Sequence, residues 1–199
     1  MKNLLAIGAI MFASIVVSAQ TKVATFKASE RQTYTVYAYY SNSSLITLVE
    51  GYTSFNHSTY LVLQNEQVLD RFVSELKNVN NKFSEWSQVA KRHKVSRYTK
   101  DIPTNFPTVY VADNYTYDSS NYHEIYFPAK AEFNVNDEGS PWLLLRCFAE
   151  WRAHYNNQKY TTEWYLVIKS TSQLEGLINA LDKNRIKAKA ASKRDDLFK

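Results

Sequence analysis

The feature that most constrains the fold is a self-match at a spacing of 105 residues, which lays Tyr60-Leu61-Val62-Leu63-Gln64 over Tyr165-Leu166-Val167-Ile168-Lys169. The match continues downstream. Leu69, Phe72, Val73 and Leu76 fall over Leu174, Leu177, Ile178 and Leu181, with Asp70 over Glu175. Each segment reads as a strand, a polar cap and then apolar residues at i, i+3, i+4 and i+7, which line one face of a helix. Asn65 is placed to cap the first helix, and Ser172 with Glu175 three residues on forms a capping box for the second. Any two strand-then-helix segments share such periodicity, but the identical Tyr-Leu-Val start favours a duplicated unit.

Two further strands precede each segment. They are Thr33 to Tyr40 and Leu45 to Tyr52 in the first half, and Tyr122 to Phe133, broken at Pro128, with Trp142 to Ala153 in the second. The predicted unit is β-β-β-α, occurring twice, over residues 30–79 and 121–186. Glycine is scarce, at four residues, so the turns fall to Asn, Asp and Ser clusters such as Ser41-Asn42-Ser43-Ser44 and Asn134-Val135-Asn136-Asp137. Asn and Asp tolerate left-handed backbone and bond their own main chain. Short links favour antiparallel hairpins, so the expected fold class is α+β, an antiparallel sheet of six strands with two helices on one face.

Residues 80–120 form an insert between the halves. Phe83, Trp86, Val89 and Ala90 predict one more amphipathic helix there, ending in Lys91-Arg92-His93-Lys94. Pro103 and Pro107 then enforce an extended passage to a short strand over Thr108 to Ala112. Long irregular segments inside compact domains are often functional, although packing over a core edge is the plainer role. The charged, alanine-rich tail from Lys187 to Lys199 is expected to fray.

The N-terminus reads as an address rather than as part of the fold. Lys2 supplies a positive start, Leu4 to Val17 an apolar run, and Val17-Ser18-Ala19 a small-residue cleavage box before Gln20. That is the anatomy of a cleavable bacterial-type signal peptide over residues 1–19. The run is shorter than the roughly 20 apolar residues a spanning helix needs. Residues 20–199 are therefore expected to be one exported domain, periplasmic or extracellular, with no membrane span. The sole cysteine, Cys147, permits no intramolecular disulfide and no lipid anchor at the cleavage point, so packing must supply the stability.

The net charge of +5 is mild. Its two concentrations, Lys91 to Lys100 and Lys183 to Arg194, read as solvated faces, and no nucleic-acid-binding signature accompanies them. For metal or acid–base chemistry the histidines are His57, His93, His123 and His154, and none has zinc-site spacing. Neighbours on a strand point to opposite faces, so His123 and Glu124 do not chelate one ion together. Serine-hydrolase elbow, P-loop and dinucleotide fingerprints do not occur, and no cofactor or metal is called for.

Alternation along Trp142 to Arg152 places Cys147 on an apolar face with Leu143, Leu145, Ala149 and Trp151, where a thiol is inert. The other face carries Trp142, Leu144, Arg146, Phe148, Glu150 and Arg152. Such a row is either a salt-bridge ladder, with Glu163 and Lys169 as neighbours, or a polar-aromatic binding surface. With 15 tyrosines and four tryptophans in the chain, the leading expectation is a non-enzymatic binding domain for a protein or glycan. Its binding residues would be Trp142, Arg146, Phe148, Glu150 and Arg152. The alternative is a small secreted or periplasmic hydrolase, whose paired carboxylates leave no local motif.

Overall fold

A computed structural model of the chain describes residues 21–29, 32–52, 58–113, 122–153 and 159–196. The signal-peptide segment, Gln20, His57 and His154 lie outside them, as do the side chains of His123, Glu124 and Arg152. The strands are β1 (Thr21–Ser29), β2 (Gln32–Ser41), β3 (Ser44–Tyr52), β4 (Ser58–Leu63), β5 (Tyr98–Ile102), β6 (Tyr110–Asp113), β7 (Tyr122–Tyr126), β8 (Lys130–Val135), β9 (Pro141–Ala153) and β10 (Lys159–Ile168). The helices are α1 (Glu66–Arg92), α2 (Thr171–Ala180) and α3 (Lys183–Asp196). The fold is thus α+β, with helices against an antiparallel sheet.

The sheet has two parts. In one, β1, β2, β3, β4 and β6 pair in that order, and in the other β10, β9, β8 and β5 do, with β7 continuing the edge of β9 beyond β8. Every pairing is antiparallel, and the parts join where Tyr52 of β3 meets Tyr165 of β10. Trp164, fully buried, locks this seam by donating its indole N–H to the Val49 carbonyl at 2.9 Å. The β2–β3 hairpin turns on Asn42 and Ser43, both at positive φ, as its Asn/Ser composition predicted.

One apolar core unites both parts and all three helices, and it includes Phe72, Phe83, Phe133, Trp164, Leu166 and Ile186. Strand positions that alternate with these face away from the helices. There a smaller cluster of Ile46, Leu48 and Val62 packs with Tyr37, Tyr39, Tyr60 and Ala112.

Several expectations are corrected in detail. The separate helix expected in the insert is the second half of α1, because Leu69, Phe72, Leu76, Val79, Phe83, Trp86 and Ala90 continue one 3-4 spacing without a break. Ser170, not Ser172, caps α2: its hydroxyl accepts from Gln173 N, while Gln173 accepts from Lys169 N at 2.7 Å. Asn65 caps α1 as expected, accepting from Val68 N at 2.9 Å. The tail does not fray over its described part but forms α3. Asp182 caps this helix, Ile186 and Ala190 are buried, and Lys187 pairs with Glu66 at 2.9 Å.

Two strands, β1 and β5, were not foreseen. β1 escapes a period-two reading because a bulge at Val23 sets its buried residues, Val23 and Phe26, three apart. β5 is an edge strand whose buried residue is Ile102 alone. As expected, Pro128 splits the second-half run into β7 and β8, and the short strand expected over Thr108 to Ala112 is β6, which spans Tyr110–Asp113. The β2-β3-β4-α1 and β8-β9-β10-α2 runs are both meanders ending in a helix, but the helices have 27 and 10 residues, so the arrangement does not establish a duplication.

Candidate functional site

The strand that carries the expected binding row is β9, whose central position between β10 and β8 fixes where each side chain sits. Leu143, Leu145, Cys147 and Ala149 are buried toward the helices, as the alternation required. Trp142, Leu144, Arg146 and Phe148 are partly exposed on the opposite, helix-free face, and Glu150 is buried there. The row is not one surface. At about 3.3 Å per residue, Trp142 and Phe148 stand roughly 20 Å apart, and each has different company.

Arg146 occupies the middle. Its neighbour across β10 is Tyr165, and its ion pair is with Glu132 of β8 at 3.3 Å, one strand over on the other side. Glu163, the partner expected from sequence, lies opposite Phe148 instead. Glu132 also accepts from Asn134 Nδ2 at 3.1 Å, and Asn134 accepts from the Thr99 hydroxyl at 2.8 Å. A polar ladder Arg146–Glu132–Asn134–Thr99 therefore crosses β9, β8 and β5. Because Arg146 Nε is buried without a hydrogen-bond partner, the guanidinium is held mainly by this one carboxylate. Phe148 packs edge-on against Phe127, centroids 5.6 Å apart, with the Lys130 ammonium 6.0 Å from its centroid. These contacts tie the partly exposed middle of the row to β8 and to Phe127.

Trp142 belongs to the far end, where the β8–β9 hairpin and the start of β5 enclose a shallow open depression of about 410 Å³. Its lining includes Arg97, Thr99, Asn134, Asp137, Glu138 and Trp142. Thr99, Asn134 and Trp142 are successive cross-strand neighbours on the helix-free face. The rim is rigid. Asn136 Oδ1 accepts from Glu138 N at 3.1 Å and Ser140 N at 2.7 Å, and Gly139, at φ 78°, closes the turn with its N–H on Asn136 O. Arg97, a non-glycine residue at φ 53°, bonds Asp137 through Nε at 2.9 Å and Nη2 at 3.1 Å. Both side chains of this fork-to-fork pair are largely exposed.

Sequence reasoning placed Trp142 but missed Arg97, Asn134 and Asp137 as its companions. It read Arg97 as part of a charge run and the other two as turn residues. No local signal could have joined them, since the contact depends on the registers of β5 with β8 and of β8 with β9.

Among the described residues, two titratable groups, Cys147 and Tyr34, lie in the apolar core. Burial pushes the Cys147 thiol up to about 12, and its Sγ–H donates to the Phe127 carbonyl at 3.0 Å. Burial, then the phenols of Tyr52 and Tyr165 and the Glu50 carboxylate, hold the Tyr34 phenol far above its ordinary value. Among the described residues no three His, Cys, Asp or Glu side chains are grouped to hold a metal, and no helix is long and apolar enough to cross a membrane.

Fold and site define an α+β domain with a helix-covered sheet face and an aromatic-bearing helix-free one. Comparison of the chain with models of protein families, with curated proteins and with solved structures returns no match.

Proposed function

We propose that the protein is an exported, non-enzymatic binding domain that meets a protein or glycan with the helix-free face of its sheet, anchored at the Trp142 end of β9. The observation that carries this reading is the depression beside Trp142, a partly exposed indole next to fixed hydrogen-bonding groups on a pre-organised rim. Tyr37, Tyr39, Tyr60 and Tyr110 extend the same face with aromatic surface. Tyrosine, tryptophan and arginine carry a disproportionate share of energy at contact surfaces, and a rigid surface loses less entropy on binding. Export is supported by the residue 1–19 pattern, and the first described strand begins at Thr21, so cleavage after Ala19 leaves every described strand intact.

Melting temperature and affinity measured side by side for Trp142→Ala and Arg146→Ala, on ligands selected by glycan array and pull-down, test the proposal. Trp142→Ala should cost about 2 kcal/mol of binding, roughly thirtyfold in affinity, with little change in melting temperature. Arg146→Ala should instead lower stability by about 1 kcal/mol and leave binding close to wild type. Unchanged affinity in Trp142→Ala would remove the anchor, and hydrolysis of an array glycan by purified protein would replace the binding reading with an enzymatic one.

A further inference from the structure

Resting on that reading of the Trp142 end, we propose that the depression is a carbohydrate subsite that takes a neutral pyranose unit, with Trp142 stacking on the sugar's C–H face and Asn134, Arg97 and Asp137 binding its hydroxyls. Three observations point to this chemistry rather than to an anion or an apolar ligand.

The first is the pairing of surface types. A pyranose has an apolar C–H face and a periphery of vicinal hydroxyls, each both donor and acceptor. It is matched by a ring beside planar polar groups that offer donors and acceptors together. Trp142 supplies the ring, and its β8 neighbour Asn134 supplies an amide. That amide is almost fully buried, with its Nδ2 donating to Glu132 O and Oε1 and its Oδ1 accepting from Thr99, so it is fixed in place and has one Oδ1 lone pair left to accept from a sugar hydroxyl.

The second is charge. The lining sets one arginine against two carboxylates, Asp137 and Glu138. Arg97 is already neutralised by two hydrogen bonds to Asp137, so the site opposes phosphate, sulfate or uronate. A guanidinium–carboxylate fork keeps unused N–H donors and oxygen lone pairs side by side, an arrangement that bridges adjacent hydroxyls.

The third is cost in the backbone. Arg97 sits at φ 53°, a conformation that L-residues with long side chains adopt at a penalty, and its N–H is tied to Asn136 O at 3.3 Å. That strained residue lines the depression together with Trp142, and strained backbone is concentrated at binding sites. The volume, about 410 Å³, falls within the range of small-molecule sites, about 300–1,000 Å³. Since the depression is open, it suits one unit of a longer chain that continues across the surface.

The test uses the full mature chain with maltohexaose, cellohexaose and chitohexaose at millimolar concentration, read by saturation-transfer NMR and calorimetry, with glucuronate oligomers as the anionic arm. The inference expects one neutral hexaose to bind with saturation reaching its ring C–H protons. Trp142→Ala should then weaken binding at least tenfold, Trp142→Tyr restore most of it, and Asp137→Ala, on the exposed rim, weaken it severalfold at unchanged melting temperature. If Trp142→Ala fails to fold, Asp137→Ala decides. Binding indifferent to both variants would overturn the subsite while leaving the protein a binding domain. Preference for the glucuronate oligomers would overturn its neutral specificity. Failure of all three hexaoses would overturn the carbohydrate assignment, and a protein ligand lost in Trp142→Ala would then show that the contact surface survives without it.

Discussion

Trp164 packs directly on Gly51 at the seam between the two parts of the sheet. A Cβ on Gly51 would overlap the Trp164 indole, whose N–H is already committed to Val49 O. Gly51 is therefore glycine for space, not for backbone freedom. Gly51→Ala should destabilise by about 2–3 kcal/mol, measured by urea unfolding, because the ring has no empty volume to enter. A change below about 0.5 kcal/mol, the scale of ordinary surface substitutions, would refute the fit. Cys147 makes a second single-residue case. With its thiol raised to about 12 by burial and bonded to Phe127 O, it should resist iodoacetamide in the native protein and react fully once denaturant is added. Labelling in the native state at the rate of a free thiol would contradict that burial.

At the scale of elements, length and docking partner matter more than propensity. α1 is one 27-residue helix because its apolar stripe never breaks, even across Asn78, Asn80 and Asn81, which are poor helix formers in isolation. α3 shows the same priority in a tail that composition marks as solvated. Ile186 and Ala190, one turn apart, are buried against the core, and Lys189 donates to Val23 O of β1 at 2.8 Å. Ile186→Ala should therefore cost about 2–4 kcal/mol and raise amide exchange across Lys183–Asp196, whereas a frayed tail would leave both unchanged. The positive charge of α3 is in part consumed by Glu66 and Asp70 of α1, reached by Lys187 and Lys183.

At the scale of the whole molecule, the titratable groups with resolved shifts among the described residues all act in one direction. Tyr34, Tyr39, Tyr60 and Cys147 are raised, each first by burial, and Lys187 is raised by its hydrogen bond to Glu66. The folded state holds these protons more tightly than the unfolded chain, which ionises near 9.0 at the thiol and 10.0 at the phenols. Their contribution is complete below those values and is lost as pH rises through them toward the folded-state values. Melting temperature should thus be flat on the alkaline side of neutrality and fall steeply above about pH 9. Part of the phenolate absorbance should appear only with unfolding. Stability that stayed constant through the phenol range would contradict the burial of these side chains.

What the sequence determined by itself was whatever repeats at short range. The alternation of β9 sorted Cys147 inward and Trp142, Arg146 and Phe148 outward; the 3-4 spacing marked the buried face of α1; Asn65 marked its cap; and Asn42-Ser43 marked the first hairpin turn. Each is decided within a few residues by backbone geometry, so it survives whatever the rest of the chain does. What only the tertiary structure decided was register and docking. Register gave Arg146 to Glu132 rather than Glu163, drew Arg97, Asn134 and Asp137 around Trp142, and paired β1 and β5 into the sheet despite weak patterns of their own. Docking turned a charged tail into α3. These outcomes depend on contacts between residues up to more than a hundred positions apart. Such contacts form only where one packed arrangement satisfies all the strands and helices at once, and no window of sequence contains that condition.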